Sequence, residues 1–160
     1  LAPPPHLDGA TIGAFYTQPE DVDDATLAQL ALSDEMVGEL EAADVIVIAA
    51  PMHNFGLASG LKSWIDHVSR VGRTFNYTAE GPNGMLTGKK VFVLGARGGN
   101  YSSTSPAHGM DFVTPYLKTA LGFIGLDDVT FINAEGVASG QEGIELAHQE
   151  VKSVVIALAA

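Results

Sequence analysis

Two turns in this sequence, each directly after an apolar run, combine residue types that suit a flat, uncharged ring. The first turn follows residues 45–50 and contains Asn54, and the second follows residues 91–96 and contains Gly98 and Gly99. The Asn amide can donate and accept hydrogen bonds, and glycine lets backbone N–H groups come close to a ligand. We predict a ligand site here, because small ligands bind outside the carboxyl ends of the strands in open α/β sheets. Either turn alone is also compatible with a purely structural connection.

The segments that flank these turns alternate between strand and helix patterns. Continuous apolar runs at residues 45–50, 91–96 and 129–134 are interpreted as parallel strands, because buried parallel strands lack polar alternation. Helices are predicted from about residue 24 to 41 and at 59–70, 111–123 and 140–157, with β fragments at 74–77 and 85–87 around a turn at 80–84. This order predicts an α/β fold with a doubly wound parallel sheet and helices on both faces.

Several charged residues are interpreted as structural. Asp23 and Asp24 are expected to cap the helix that follows them, because a carboxylate accepts hydrogen bonds from the first N–H groups of a helix. Asp66 and Arg70 are predicted to pair across one helical turn. The other acids assigned to ion pairs or caps rather than to catalysis are Asp44 and Glu135.

The composition limits the possible functions. The 160 residues fit one domain, residues 1–160, and the net charge of -11 with only 8 Lys and Arg disfavours a nucleic acid partner. The apolar runs are too short to span a membrane. The absence of cysteine excludes a disulfide framework and fits the reducing cytoplasm. The four histidines other than His53 show no ligand spacing, so no metal site is predicted.

The first residues resemble an internal stretch of a longer chain. The sequence starts at Leu1, and residues 2–9 are interpreted as an extended, proline-rich segment. Three strands alone leave an apolar sheet edge unpaired, which soluble proteins avoid. We therefore expect two further strands upstream and regard the sheet as incomplete at its amino-terminal side.

Several motifs carry a resemblance to a known family. They are PMHNF at 51–55, LKSWID at 61–66, VGRTF at 71–75, GKK at 88–90 before RGG at 97–99, and PYL at 115–117 before LGFIG at 121–125. In this order and spacing they resemble the FMN-dependent NADH:azoreductases, over nearly the whole chain.

The resemblance implies a homodimeric flavodoxin-like enzyme. Such an enzyme passes hydride from NADH or NADPH through N5 of FMN to a quinone or an azo compound by a ping-pong mechanism, and the flavin rather than a side chain carries the chemistry. The positions that match the family's flavin contacts are Met52, His53, Asn54 and Phe55 at the N5/O4 side, and Ala96, Arg97, Gly98 and Gly99 at the N1/O2 side. Tyr77 and Phe123 match aromatic positions of the substrate pocket at the dimer interface, although without the resemblance both rings are interpreted as core packing.

The chain also departs from the family pattern. His53 stands where relatives often have Tyr, and Ala96 where they often carry a hydroxyl. The Ser-rich turn that holds the FMN phosphate at a helix N-terminus has no counterpart in this sequence, so these residues alone are expected to bind FMN weakly.

Two hypotheses from different classes follow. The first is an FMN oxidoreductase, and the alternative is a flavodoxin-like binding or interaction fragment without flavin and without activity. Within the first class, the excursion at residues 74–89 and the polar loop at residues 98–109 favour a reductase with a substrate pocket over an electron-transfer flavodoxin.

Overall fold

The computed structural model describes residues 3–158. Contacts divide the chain into two compact units built from interleaved segments, with unit 1 at residues 1–44, 59–89 and 119–127 and unit 2 at residues 45–58, 90–118 and 128–160. Residues 1, 2, 159 and 160, which belong to the predicted domain range, lie outside the described residues. The assignment of residues 1–160 to one domain stays a prediction.

A three-stranded parallel sheet forms the centre of unit 2. Its strands are β1 (Val45–Ala49), β6 (Lys90–Ala96) and β7 (Asp128–Ala134), in the spatial order β1-β6-β7. Both pairings are parallel, so the prediction of three parallel strands is confirmed. Helix α5 (Gln141–Leu158) packs against β7.

The outer strand β1 has two different faces within the described residues. Ile46 and Ile48 are buried, whereas Val45 and Val47 are 56% and 62% exposed. The continuous apolar run predicted a strand covered on both faces, and its sequence alone did not distinguish the buried face from the exposed one.

Unit 1 contains the first three α-helices and a hairpin. Helix α1 (Gly9–Ala14) follows the predicted extended segment, of which residue 2 lies outside the described residues, and packs against α2 (Asp24–Ala42), which also packs against α3 (Ser59–Val68). The backbone N–H of Thr26 donates to Asp23 Oδ1 at 2.8 Å, so Asp23 is the cap of α2, as predicted. No helix within residues 3–158 combines the length and apolar character needed to cross a membrane.

The predicted pair of Asp66 with Arg70 is wrong. Helix α3 ends at Val68. The buried side chain of Arg70 places its Nη1 3.1 Å from Asp34 Oδ1. Asp66 instead pairs with Lys62, with Nζ to Oδ1 at 2.6 Å. The loss of helical geometry after Val68 removes the spacing on which the predicted pair depended.

The hairpin of unit 1 also differs from its prediction. Strand β4 (Phe75–Thr78) pairs with β5 (Gly81–Gly84), the stretch that was predicted to be the turn. A Cβ at Gly84 would overlap the backbone of Gly125, which follows helix α4 (Thr114–Phe123). The Leu86 N–H donates to Ile124 O at 3.0 Å beside this contact. Tertiary packing therefore selects an extended backbone in a segment with turn-type composition.

Candidate functional site

The first predicted turn lies at the carboxyl end of β1, between the two-residue strands β2 (Met52–His53) and β3 (Gly56–Leu57). Asn54 and Phe55 both adopt left-handed backbone conformations, with φ of 47° and 70°. Such angles are uncommon for residues other than glycine and cost free energy that the surroundings must offset. The side chains of both residues are exposed. The turn therefore combines a strained backbone with accessible side chains.

Two contacts from other parts of unit 2 hold the turn. The Phe112 N–H donates to Phe55 O at 3.2 Å. The ring of Phe55 also meets the ring of Tyr101 at a centroid distance of 6.3 Å and an interplanar angle of 79°. Because Tyr101 follows the second predicted turn, this contact joins the two turns.

The second turn is held to the segment that follows β7 by backbone hydrogen bonds. Arg97 donates its N–H to Ala134 O at 2.9 Å, and the carbonyl oxygens of Gly98 and Gly99 accept from Ala138 and Gly136 at 3.2 and 3.0 Å. Within residues 3–158, the N–H groups of Gly98 and Gly99 donate to no protein acceptor. These two donors are therefore available to acceptor atoms of a bound molecule.

A buried ionic cluster lies below this turn. Arg97 Nη1 is 3.0 Å from Asp111 Oδ2 and 3.1 Å from Glu135 Oε1, and Arg97 Nη2 donates to Thr114 Oγ1 at 2.6 Å. Glu135 Oε2 also accepts the Tyr101 N–H at 2.9 Å. The side chain of Arg97 is 3% exposed, and one guanidinium faces two carboxylates. The cluster thus joins the ends of β6 and β7 to the segment before α4.

The pKa of Asp111 lies below its ordinary value. Burial acts to raise it, but hydrogen bonds from Thr114, the Arg97 charge and the Val113 N–H together outweigh burial. The same carboxylate accepts the N–H groups of Val113 and Thr114 at 3.0 Å each, so it caps α4 while it pairs with Arg97. Asp111 is therefore ionised at neutral pH, as both of its contacts require.

All eight residues predicted to contact the flavin lie in unit 2. The exposed ones are His53, Asn54, Phe55, Ala96 and Gly98, the half-buried ones are Met52 and Gly99, and the buried one is Arg97. The structure brings the two turns together, and it gives the side chain and backbone N–H of Arg97 protein partners. A supporting role below the turn fits Arg97 better than a direct side-chain contact with a ligand.

The two predicted substrate residues lie in unit 1, in one aromatic cluster. Phe75 contacts Tyr77 at a centroid distance of 5.6 Å and Phe123 at 4.4 Å. Tyr77 is 69% exposed, so it is not the core residue that its aromatic side chain alone indicated. Their assignment to a substrate pocket stays a prediction.

Sequence reasoning missed the residues that support the turns. Tyr101, Phe112 and Thr114 act through contacts with residues far away in the chain, and no motif marks them. Glu135 was assigned to an ion pair or a cap, and an ion pair is what the structure shows, but its partners Arg97 and Tyr101 were not identified. Only the position of Asp111 just before a helix gave a local signal, that of a cap.

The geometry fits the FMN ring system. Isoalloxazine presents acceptor atoms along its edge, and the Gly98 and Gly99 donors without protein partners suit such an edge. The exposed Asn54 amide supplies one further donor and acceptor, and the exposed Phe55 ring adds an apolar surface.

Comparisons with known proteins agree with this fit. An FMN-dependent NADH:quinone oxidoreductase of Herminiimonas arsenicoxydans is 56% identical over 154 residues, which cover 96% of this chain and 74% of the relative. One from Hydrogenovibrio crunogenus is 50% identical over 153 residues, covering 96% of this chain and 75% of that relative. A family model described as a flavodoxin-like fold matches residues 1–155. The chain belongs to the flavodoxin-like family.

Solved structures of this flavodoxin-like family show the same fold. An FMN-dependent NADH-azoreductase of Bacillus anthracis in complex with FMN superimposes with a TM-score of 0.81 at 27% identity, covering 98% of this chain and 76% of that chain. Another azoreductase structure from Bacillus anthracis gives 0.82 at 27% identity, covering 93% and 73%. The resemblance read from the sequence and the predicted α/β fold are confirmed.

Proposed function

We propose that the protein is an FMN-dependent NADH:quinone oxidoreductase that also reduces azo compounds. The observation that carries this proposal is the junction of the two turns, in which the Phe55 turn packs against Tyr101 beside the unpartnered N–H groups of Gly98 and Gly99. The names of relatives with 50% and 56% identity support the same activity. When bound, FMN supplies the group that accepts hydride from NADH and delivers it to the acceptor.

The first turn has the role of orienting the ring. Its left-handed residues Asn54 and Phe55 turn the backbone back sharply and leave both side chains accessible. A strained turn held by distant contacts keeps its hydrogen-bonding groups in one arrangement before the ligand arrives. The Asn54 amide would thereby hold bound FMN with little loss of freedom on binding.

The second turn has an electrostatic role. The N–H groups of Gly98 and Gly99 would hold the edge of bound FMN, and their dipoles would favour negative charge there. Glycine at these positions leaves the N–H groups without a shielding side chain. Interactions that strengthen as charge develops favour the transfer over mere binding.

The finer parts of the proposal concern substrates and assembly. Donor and acceptor bind in turn, which is a ping-pong order, and Tyr77 and Phe123 contribute to acceptor binding at the interface of a homodimer. The exposed Tyr77 ring, with 69% of its surface accessible, supports this role, because an aromatic side chain that is not needed in a core can stack on a flat acceptor. The proposal also includes NADPH as a second donor and a cytoplasmic location.

The visible absorption spectrum of the purified full chain, recorded as FMN is titrated in, tests the proposal. We expect the bands of bound oxidised flavin, together with NADH oxidation that depends on an added quinone. Parallel lines in double-reciprocal plots at several quinone concentrations would support the ping-pong order, whereas converging lines would contradict it. A protein that retains no flavin and oxidises no NADH favours the alternative, a binding fragment without activity.

A further inference from the structure

Glu135 bonds to two different parts of the proposed flavin site at once. Its Oε1 accepts Arg97 Nη1 at 3.1 Å, and its Oε2 accepts the Tyr101 N–H at 2.9 Å. Arg97 directly precedes Gly98, and the ring of Tyr101 contacts Phe55 of the first turn. One carboxylate thus holds both ends of the segment 97–101 and, through the ring of Tyr101, acts on the other turn.

The same cluster reaches the first turn by a second route. Asp111 pairs with Arg97 at 3.0 Å and accepts the N–H groups of Val113 and Thr114. Phe112 lies between Asp111 and Val113 in the chain and donates its own N–H to Phe55 O at 3.2 Å. Fixing the backbone on both sides of Phe112 fixes this donor as well.

Burial makes the cluster rigid rather than merely attractive. The side chains of Arg97, Asp111 and Glu135 are 3%, 5% and 12% exposed, so water competes little for their hydrogen bonds. Removing one partner from such a network leaves buried polar atoms unsatisfied, which costs more than loss of an exposed ion pair.

We propose that Glu135 is a positioning residue that sets the affinity for FMN by holding the 97–101 segment and the Phe55 turn in their binding arrangement. The inference rests on the proposed function, because it assigns both turns to the flavin ring. Glu135 itself need not touch the ligand, since it acts through Arg97 and Tyr101. Loss of its double contact therefore loosens the turns, and binding must then order them at a cost in affinity.

Replacement of Glu135 by Gln separates this role from shape. Both carboxylate oxygens of Glu135 act as acceptors, but a glutamine side chain offers only one oxygen, so either the Arg97 contact or the Tyr101 contact is lost. The volume hardly changes. The matched control is Glu39→Gln, which removes the same charge from an exposed position on α2 in unit 1.

The test compares both variants with the unaltered full chain in two measurements, well below their melting temperatures. FMN titration of the apoprotein is expected to show affinity at least about tenfold weaker for E135Q and unchanged for E39Q. Hydrogen exchange of the apoprotein is expected to speed up at Tyr101 in E135Q, with exchange in strand β6 unchanged. A purely structural role would lower the melting temperature and leave both measurements of the folded protein unchanged, which would overturn the proposal.

A second variant decides the question if E135Q does not fold. Thr114→Val keeps all charges and removes the hydroxyl that accepts from Arg97 Nη2 at 2.6 Å and donates to Asp111. We expect FMN affinity about fivefold weaker with faster exchange at Tyr101. Unchanged affinity and exchange in T114V would then overturn the proposal. If the unaltered chain binds no FMN, the proposed function fails and the inference fails with it. If the unaltered chain and the folded variants bind FMN equally well, only the inference fails.

Discussion

The ring of Phe55 meets the ring of Tyr101 edge to face, with centroids 6.3 Å apart and planes at 79°. This contact joins two turns that follow neighbouring parallel strands but lie more than forty residues apart in sequence. An edge-to-face pair contributes about 0.5–1.5 kcal/mol beyond the area that it buries. The pair is therefore strong enough to fix the relative position of the turns, although too weak to determine the fold.

Removal of the Tyr101 ring should loosen the site without unfolding the protein. We expect Tyr101→Leu to weaken FMN binding about threefold to tenfold, because the Phe55 turn loses one of its two supports. Fluorescence titration of FMN measures the change. The control is Tyr16→Leu in unit 1, where the tyrosine is 67% exposed. Equal losses in both variants would show that the Phe55 contact has no special role.

The strained conformation of Asn54 separates stability from binding. At its φ of 47°, glycine carries no penalty, so Asn54→Gly should leave the free energy of unfolding within about 1 kcal/mol of the unaltered protein. Asn54→Val should lower it by about 1–3 kcal/mol, since a branched side chain opposes this angle. Both variants lack the amide and should reduce NADH-dependent quinone turnover. Unchanged quinone turnover in N54G would contradict a role for the Asn54 amide in binding FMN.

The close approach of Gly84 to Gly125 predicts a large loss of stability on a small change. A methyl group at Gly84 would overlap the backbone of Gly125, which cannot move aside as a flexible side chain can. We expect Gly84→Ala to lower the free energy of unfolding by about 2 kcal/mol or more in urea denaturation. Gly38→Ala is the matched control, because Gly38 lies inside α2 with no neighbour within 4 Å and should gain about 0.5–1 kcal/mol. Similar effects of both substitutions would argue against the contact.

The lowered pKa of Asp111 predicts a pH-dependent stability. A carboxylate whose pKa is lower in the folded state stabilises that state fully at pH values above its pKa in the unfolded chain, which is near 3.8. This contribution is lost as the pH falls through the lower pKa of the folded state. Asp111→Asn should therefore cost about 1–3 kcal/mol at neutral pH. The difference from the unaltered protein should shrink as the pH drops below 3.8. Urea denaturation across this range measures it, and a difference independent of pH would contradict the assignment.

The parallel strands and the turn positions were predictable because they depend on local patterns. Continuous apolar runs indicated parallel strands, and their carboxyl ends located both turns. The hairpin was not predictable, since residues 81–84 have turn-type composition and become a strand through the approach of Gly84 to Gly125. The pairing of Arg70 with Asp34 depended on where α3 ends, which periodicity defines poorly.

The support of the site was hidden for a different reason. Arg97 was recognisable from its place beside the glycines, but its partners Asp111 and Glu135 lie 14 and 38 residues further along the chain. Charged residues at such separations come into contact only in the folded protein, and each of them on its own is interpreted as a surface residue. The sequence thus predicted candidate ligand contacts, but it did not identify the residues that hold these contacts in place.

The reductive half-reaction tests the central claim most directly. NADH is added without oxygen or acceptor to the full chain loaded with FMN, and the visible flavin bands are followed before and after a stoichiometric addition of quinone. The account predicts that NADH alone bleaches the bands and that the quinone restores them, because the two turns orient one ring for both partners in succession. Bands that stay unchanged with NADH until quinone is present, or a chain that holds no flavin, would contradict it.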